Sequence, residues 1–96
     1  MPTIKVDTLS RQIILDGSPV HTTNREYTLL RFMATTPRKA YTRQELRSAA
    51  NIAGADRTVD QYVSRIRKIL GRHAIRTVAG YGYSAPDIIL SLEPTS

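Results

Sequence analysis

The sequence predicts a small α+β domain in which three helices lie between β-rich segments at the two ends. Two capping boxes, Thr23 to Glu26 and Thr42 to Glu45, predict the starts of the first two helices. In each, the threonine oxygen accepts from first-turn amides and the glutamate accepts from the amide of the threonine. A third helix is predicted over residues 57–70, where apolar residues recur at spacings of four, three and four.

Composition allows one domain and excludes several classes of protein. The chain has 96 residues, no cysteine and two histidines that lie far apart, so no disulfide framework, thiol chemistry or structural metal is expected. The longest apolar runs are three residues, too short for a membrane span or a signal-peptide core. We therefore expect a cytoplasmic protein with no membrane partner. Its acids are scattered without a nucleophile-base or phosphate-loop pattern, so neither an enzyme nor a cofactor is expected.

The positive charge is concentrated in the third predicted helix. The chain carries 14 Lys and Arg against 8 Asp and Glu, a net charge of +6. Residues 57–72 hold five of those bases and one acid, and thus +4 of the total. A helix with one apolar side and one basic side favours an anionic partner, for which nucleic acid is the natural candidate.

Short strands are predicted at 4–7, 12–15 and 18–22. The dipeptide Asp16-Gly17 favours the positive backbone angles of a tight hairpin between the last two. The first helix should then run from about Asn24 until Pro37 ends it.

The third helix can start at an Asp56 cap or at a capping box that begins with Thr58, and Gly71 should end it. Segments 75–78 and 81–83 then predict a terminal hairpin. We place the domain at residues 1–86.

From Pro86 the pattern is lost, so residues 87–96 are expected to form a tail, although Ile88, Leu90 and Leu92 could pack back on the domain. The order of elements describes a winged helix-turn-helix: a short N-terminal antiparallel sheet, a three-helix core and a C-terminal β-hairpin wing.

Four blocks combine capping, core and turn residues in one order. They are Thr23-x-x-Glu26-Tyr27-x-Leu29-Leu30, Thr42-Arg43-x-Glu45-Leu46, Arg57-Thr58-Val59-Asp60-x-x-Val63-Ser64-Arg65-Ile66-Arg67-Lys68 and Ile75-Arg76-Thr77-Val78-x-Gly80-x-Gly82-Tyr83. Together they resemble the C-terminal effector domain of OmpR/PhoB-type response regulators over residues 4–84. The resemblance implies a four-stranded N-terminal sheet, of which the sequence predicts three strands. It also implies transcription regulation within a two-component regulatory system, through promoter DNA and possible contact with RNA polymerase, often as head-to-tail homodimers on direct repeats.

The sequence departs from this family in three places. Ala79 stands where members commonly carry an arginine that enters the minor groove. The connector between Leu46 and Arg57 is short, whereas the family normally has a longer one with a tryptophan and often acidic or aromatic residues that meet RNA polymerase. Its central residues, Asn51-Ile52-Ala53-Gly54-Ala55, offer little for such a contact. The chain has no room for a receiver domain, so we expect either an excised effector domain or a stand-alone regulator.

One exposed side of the third helix carries the candidates for reading bases. Gln61, Arg65 and Lys68 share that side at spacings of four and three, with Ser64 beside them. Arginine can make two hydrogen bonds to guanine and glutamine two to adenine. In the family, the arginine that corresponds to Arg65 usually reaches the groove.

Phosphate contacts, which fix register without reading sequence, are predicted for a wider set. Its members are Thr42, Arg43, Arg57, Thr58, Tyr62, Arg67, Arg72, Arg76 and Thr77. Arg67 and Tyr62 could instead cover the apolar flank of the helix.

In the hairpin, Gly80 and Gly82 are expected for turn geometry and Tyr83 for packing beneath it. Asp60 is expected to pair with a nearby arginine. Two alternatives to DNA binding stay open: a solvated charged face with no ligand, and a winged-helix protein-interaction module.

Overall fold

Two small sheets enclose a three-helix core in the computed structural model, which describes residues 3–91. The elements are β1 (Ile4–Asp7), β2 (Gln12–Leu15), β3 (Ser18–Val20), α1 (Asn24–Thr35), β4 (Tyr41–Thr42), α2 (Arg43–Ala49), α3 (Arg57–Leu70), β5 (Arg76–Val78), β6 (Gly82–Ser84) and β7 (Ile88–Ser91). The predicted α+β winged helix-turn-helix class is confirmed. No helix in the described residues is long and apolar enough to cross a membrane.

The prediction of a tail at residues 87–96 is wrong for Ile88–Ser91, which forms the fourth strand of the N-terminal sheet. Strand β7 pairs in parallel with β1, so that the sheet order is β3-β2-β1-β7. The strand joins the sheet because Ile88 is buried in the core, whereas Ile89 points outward and is 50% exposed, as the period of two requires. The domain therefore extends past the boundary predicted at residue 86, while residues 92–96 lie outside the described part.

Both predicted capping boxes form. The Oγ1 atom of Thr23 accepts from the Glu26 amide at 3.2 Å, and the Glu26 carboxylate accepts from the Thr23 amide at 2.8 Å. The same exchange joins Thr42 and Glu45 at 3.1 and 3.0 Å. The third helix begins at Arg57 after an N-cap residue, Asp56, whose side chain makes no capping bond. Neither predicted side-chain cap of that helix forms.

The core fixes α3 by its apolar stripe. Val59, Val63, Ile66 and Leu70 are each at most 2% exposed, and they pack in one cluster with the buried face of α1. Burying one such aliphatic side chain contributes about 2 kcal/mol. The stripe therefore orients α3 and leaves its opposite side in solvent.

The terminal hairpin β5–β6 gains a third strand from β4, in the order β4-β6-β5. Gly80 has the expected positive φ of 73° in the turn, but Gly82 is required for a different reason. It lies opposite Thr42 in the β4–β6 ladder, and a Cβ atom there would lie 1.9 Å from the Tyr41 carbonyl oxygen. The wing is thus joined directly to the start of α2.

Candidate nucleic-acid interface

The side of α3 opposite its apolar stripe is exposed to solvent. Gln61, Ser64, Arg65 and Lys68 are all exposed. Within residues 3–91, none of these four side chains makes a hydrogen bond or an ion pair, and the Arg65 guanidinium lies 5.5 Å from the centroid of the Tyr62 ring. The structure therefore brings the four predicted base-reading residues together on one surface with their polar groups available.

Three arginines predicted to contact phosphate, Arg57, Arg72 and Arg76, are also exposed. They have no hydrogen-bond or ion-pair partner in the described part of the chain. Thr58 and Tyr62 are half-buried on the flank of α3. Thr42 caps α2 through its hydroxyl.

Arg67 is bonded to the wing. Its Nε and Nη2 atoms donate to the carbonyl oxygen of Ile75 at 3.1 and 2.8 Å, and Nη2 also donates to the Thr77 hydroxyl at 2.9 Å. The same guanidinium lies 5.7 Å from the centroid of the Tyr83 ring. Arg67 and Thr77, both predicted to contact phosphate, are thus joined to each other and hold the wing against α3.

Asp60 on α3 accepts two further hydrogen bonds, one from α2 and one from the wing. The Nε atom of Arg43 donates to Asp60 Oδ1 at 2.7 Å, and the Tyr83 hydroxyl donates to the same oxygen at 2.5 Å. The predicted pairing of Asp60 with an arginine is confirmed. Burial raises the pKa of Asp60, but the hydrogen bonds from Tyr83 and Arg43 outweigh it and leave this pKa below its usual value. Burial and the bond to Asp60 raise the pKa of Tyr83.

This network predicts a pH dependence of stability. Because the pKa of Asp60 is lower in the folded state, its stabilisation is present above the usual carboxylate pKa of about 4 and is lost as the pH falls through the folded value. We expect the free energy of unfolding of Asp60→Asn to lie below that of the wild type at neutral pH and to approach it near pH 3. Urea titrations at both pH values measure this difference. Glu45, which caps α2, is present in both proteins, so the pH dependence that it contributes cancels in the comparison. A constant gap between the two proteins would contradict the assignment.

Sequence reasoning missed one feature beside α3, a cleft of about 470 Å³ between the start of α1, the end of α2 and the middle of α3. Arg25 lines the cleft from α1 and Arg65 lines it from α3. No local signal could have found it, because Arg25 lies far from α3 along the chain and its neighbours predict only the start of a helix.

Known proteins are similar to this chain in both sequence and fold. The chain is 37% identical over 84 residues to the phosphate regulon transcriptional regulatory protein PhoB of Pseudomonas aeruginosa, covering 81% of this chain and 37% of that protein. It is 35% identical over 89 residues to the transcriptional regulatory protein SrrA of Staphylococcus aureus, covering 83% of this chain and 37% of that protein. The chain thus spans a little over a third of the length of these relatives.

Two similar solved structures contain DNA-binding domains in complexes. The AdeR DNA binding domain in complex with an intercistronic region has a TM-score of 0.80 and 31% identity, covering 88% of this chain and 95% of that one. The Klebsiella pneumoniae RstA DNA-binding domain in complex with the RstA box has a TM-score of 0.73 and 31% identity, covering 84% and 89%.

Residues 17–85 match the family model described as "Transcriptional regulatory protein, C terminal". Another similar structure, at 29% identity and a TM-score of 0.70, is the response regulator DrrB, an OmpR/PhoB homologue of Thermotoga maritima. The resemblance read from the four sequence blocks is confirmed, and the chain belongs to the family of C-terminal domains of OmpR/PhoB-type transcriptional regulatory proteins.

Proposed function

We propose that this domain regulates transcription in the cytoplasm by binding double-stranded promoter DNA in a sequence-specific manner. Helix α3 enters the major groove and the β5–β6 hairpin acts as the wing. The observation that supports this most directly is the exposed, unpaired set Gln61, Ser64, Arg65 and Lys68 on a helix whose other side is fixed in the core. Amide, hydroxyl and guanidinium groups held in this way match the donors and acceptors of base edges.

Within this proposal the residues predicted to contact phosphate divide into those that face DNA and those that hold the domain together. Arg57, Arg72 and Arg76 are the first candidates for phosphate, because their guanidinium groups are exposed and unpaired within residues 3–91. Thr58 and Tyr62 lie where they can assist from the flank of α3. Thr42, Arg43, Arg67 and Thr77 already make hydrogen bonds within the protein, so we assign them mainly to holding α2, α3 and the wing together.

Selection of bound DNA from a random pool, followed by sequencing, tests the proposal. We expect one enriched motif, and a direct repeat if the domain binds as a head-to-tail homodimer. Binding should weaken steeply with salt, as expected for phosphate contacts. No enrichment would favour the protein-interaction module instead. Contact with RNA polymerase would be a further step, tested by transcription from a promoter that carries the motif.

Arg65→Ala is expected to weaken binding to the selected site by about 2 kcal/mol, or roughly 30-fold in Kd, because a two-bond contact to a guanine is lost. It should also relax the preference at one base pair. Arg72→Ala is the matched control, since it should weaken all sequences alike and reduce the salt slope by about 1. Fluorescence anisotropy titrations on the selected site and on single-base variants measure both effects. Equal losses on every sequence for Arg65→Ala would contradict its base-reading role.

A further inference from the structure

The two flanks of α3 are built differently. On one flank, Asp60 and Arg67 hold the wing through Tyr83 and the Ile75 carbonyl. On the other flank, Tyr62 and Arg65 form one wall of the 470 Å³ cleft that α1 and the end of α2 complete. A helix in the major groove has a phosphodiester backbone on each side, because the groove is about 12 Å wide between the two strands. If α3 enters the groove, the wing faces one strand and the cleft faces the other.

The cleft has the charge and the space for a phosphodiester. Arg25 on α1 and Arg65 on α3 line it, and among the described residues none of its lining side chains is a carboxylate. The Nε atom of Arg25 donates to the Asn51 carbonyl oxygen at 3.3 Å, which holds the guanidinium at the cleft wall. Its two terminal nitrogens have no partner within residues 3–91, so they remain available as donors. Ala49 and Ala50 form the α2 side, and their small side chains leave the space open.

We propose that this cleft seats a phosphate of the DNA strand opposite the one beside the wing, with Arg25 as its ligand from α1. This proposal rests on the function proposed above and extends the DNA surface to a helix that the sequence pattern assigned only to the core. Arg65 then has two neighbours in the complex, a base edge on the exposed side of α3 and the phosphate in the cleft.

The test is a double-mutant cycle between the protein and the selected duplex. Arg25→Gln is combined with a neutral methylphosphonate placed at each position of both strands in turn, and Arg72→Gln is treated in the same way. We expect Arg25→Gln to raise Kd about fivefold near 0.15 M salt and to reduce the salt slope by about 0.9, the value for one phosphate. We also expect its effect to vanish at one methylphosphonate. That position should lie on the strand opposite the one that couples to Arg72, because Arg72 lines a cleft with Arg67 and Thr77 on the wing side of α3.

Three controls keep the outcomes distinct. Arg31→Gln removes another exposed arginine of α1, which does not line the cleft, and should leave the slope unchanged. Arg25→Lys keeps the charge and should keep the slope, while thermal unfolding of both Arg25 variants checks that they fold. Coupling on the same strand as Arg72, no coupling at any position, or an equal effect of Arg31→Gln would overturn the proposal. Failure of the proposed function would show separately, as wild-type protein that enriches no motif.

Discussion

Gly82→Ala is expected to destabilise the domain by about 3 kcal/mol, the upper part of the range for overpacking. The added Cβ would lie 1.9 Å from the Tyr41 carbonyl oxygen, 2.9 Å from its carbon and 3.0 Å from the Thr42 Cα atom. All three are backbone atoms, so no side-chain rotation can relieve the clash and β4 must separate from β6. That separation also disturbs Thr42, which caps α2, and Tyr83, which is bonded to Asp60. Denaturant unfolding measures the loss.

Gly80→Ala is the matched control for Gly82→Ala. Gly80 has a φ of 73° and open space where its Cβ would be, so alanine there meets only the strain of a left-handed backbone. That strain costs about 1 kcal/mol. Equal losses for the two variants would show that the close approach of β4 to Gly82 does not determine its requirement for glycine.

Arg67→Met is expected to lower the free energy of unfolding by about 3 kcal/mol, because it removes three hydrogen bonds and leaves a carbonyl oxygen without its donors. Ile75, which carries that carbonyl, is fully buried. DNA binding should weaken as well, because β5 is no longer held against α3. Hydrogen exchange of the β5 and β6 amides, measured against the α1 amides, should show faster opening of the wing.

Arg67→Lys distinguishes the two roles that Arg67 can have, as a phosphate ligand or as the residue that holds the wing against α3. A phosphate ligand tolerates lysine, which binds phosphate as a point charge. A residue that holds the wing by hydrogen bonds does not tolerate lysine, because lysine lacks the planar guanidinium that reaches the Ile75 carbonyl and the Thr77 hydroxyl together. We therefore expect Arg67→Lys to bind DNA about tenfold more weakly, for a loss of one or two charged hydrogen bonds, with an unchanged salt slope. Arg72→Lys, at an exposed and unpaired position, should stay close to the wild type.

Local signals predicted the helices well. The capping boxes of Thr23 and Thr42 form between residues three positions apart, and the apolar stripe of α3 recurs within one helix, so each can be read along the chain. The same holds for the Asp16-Gly17 turn, in which both residues have positive φ.

Long-range features could not be predicted in the same way. Strand β7 is four residues long, and only its pairing with β1 at the other end of the chain makes it a strand. The partner that holds Arg67 is a backbone carbonyl, which every residue carries, so charge and spacing alone favoured a phosphate. The role of Gly82 and the cleft at Arg25 likewise depend on elements that meet only in the folded domain.

The parallel pairing of β1 with β7 has a consequence during protein synthesis. The fourth residue of the chain lies opposite the eighty-eighth, so β1 cannot acquire its second neighbour until β7 has left the ribosome. Until then one edge of β1 presents unpaired amides and carbonyls, the kind of edge that can pair with a strand of another nascent chain. Because this contact joins distant parts of the chain, we expect the pairing of β1 with β7 to be among the last steps of folding.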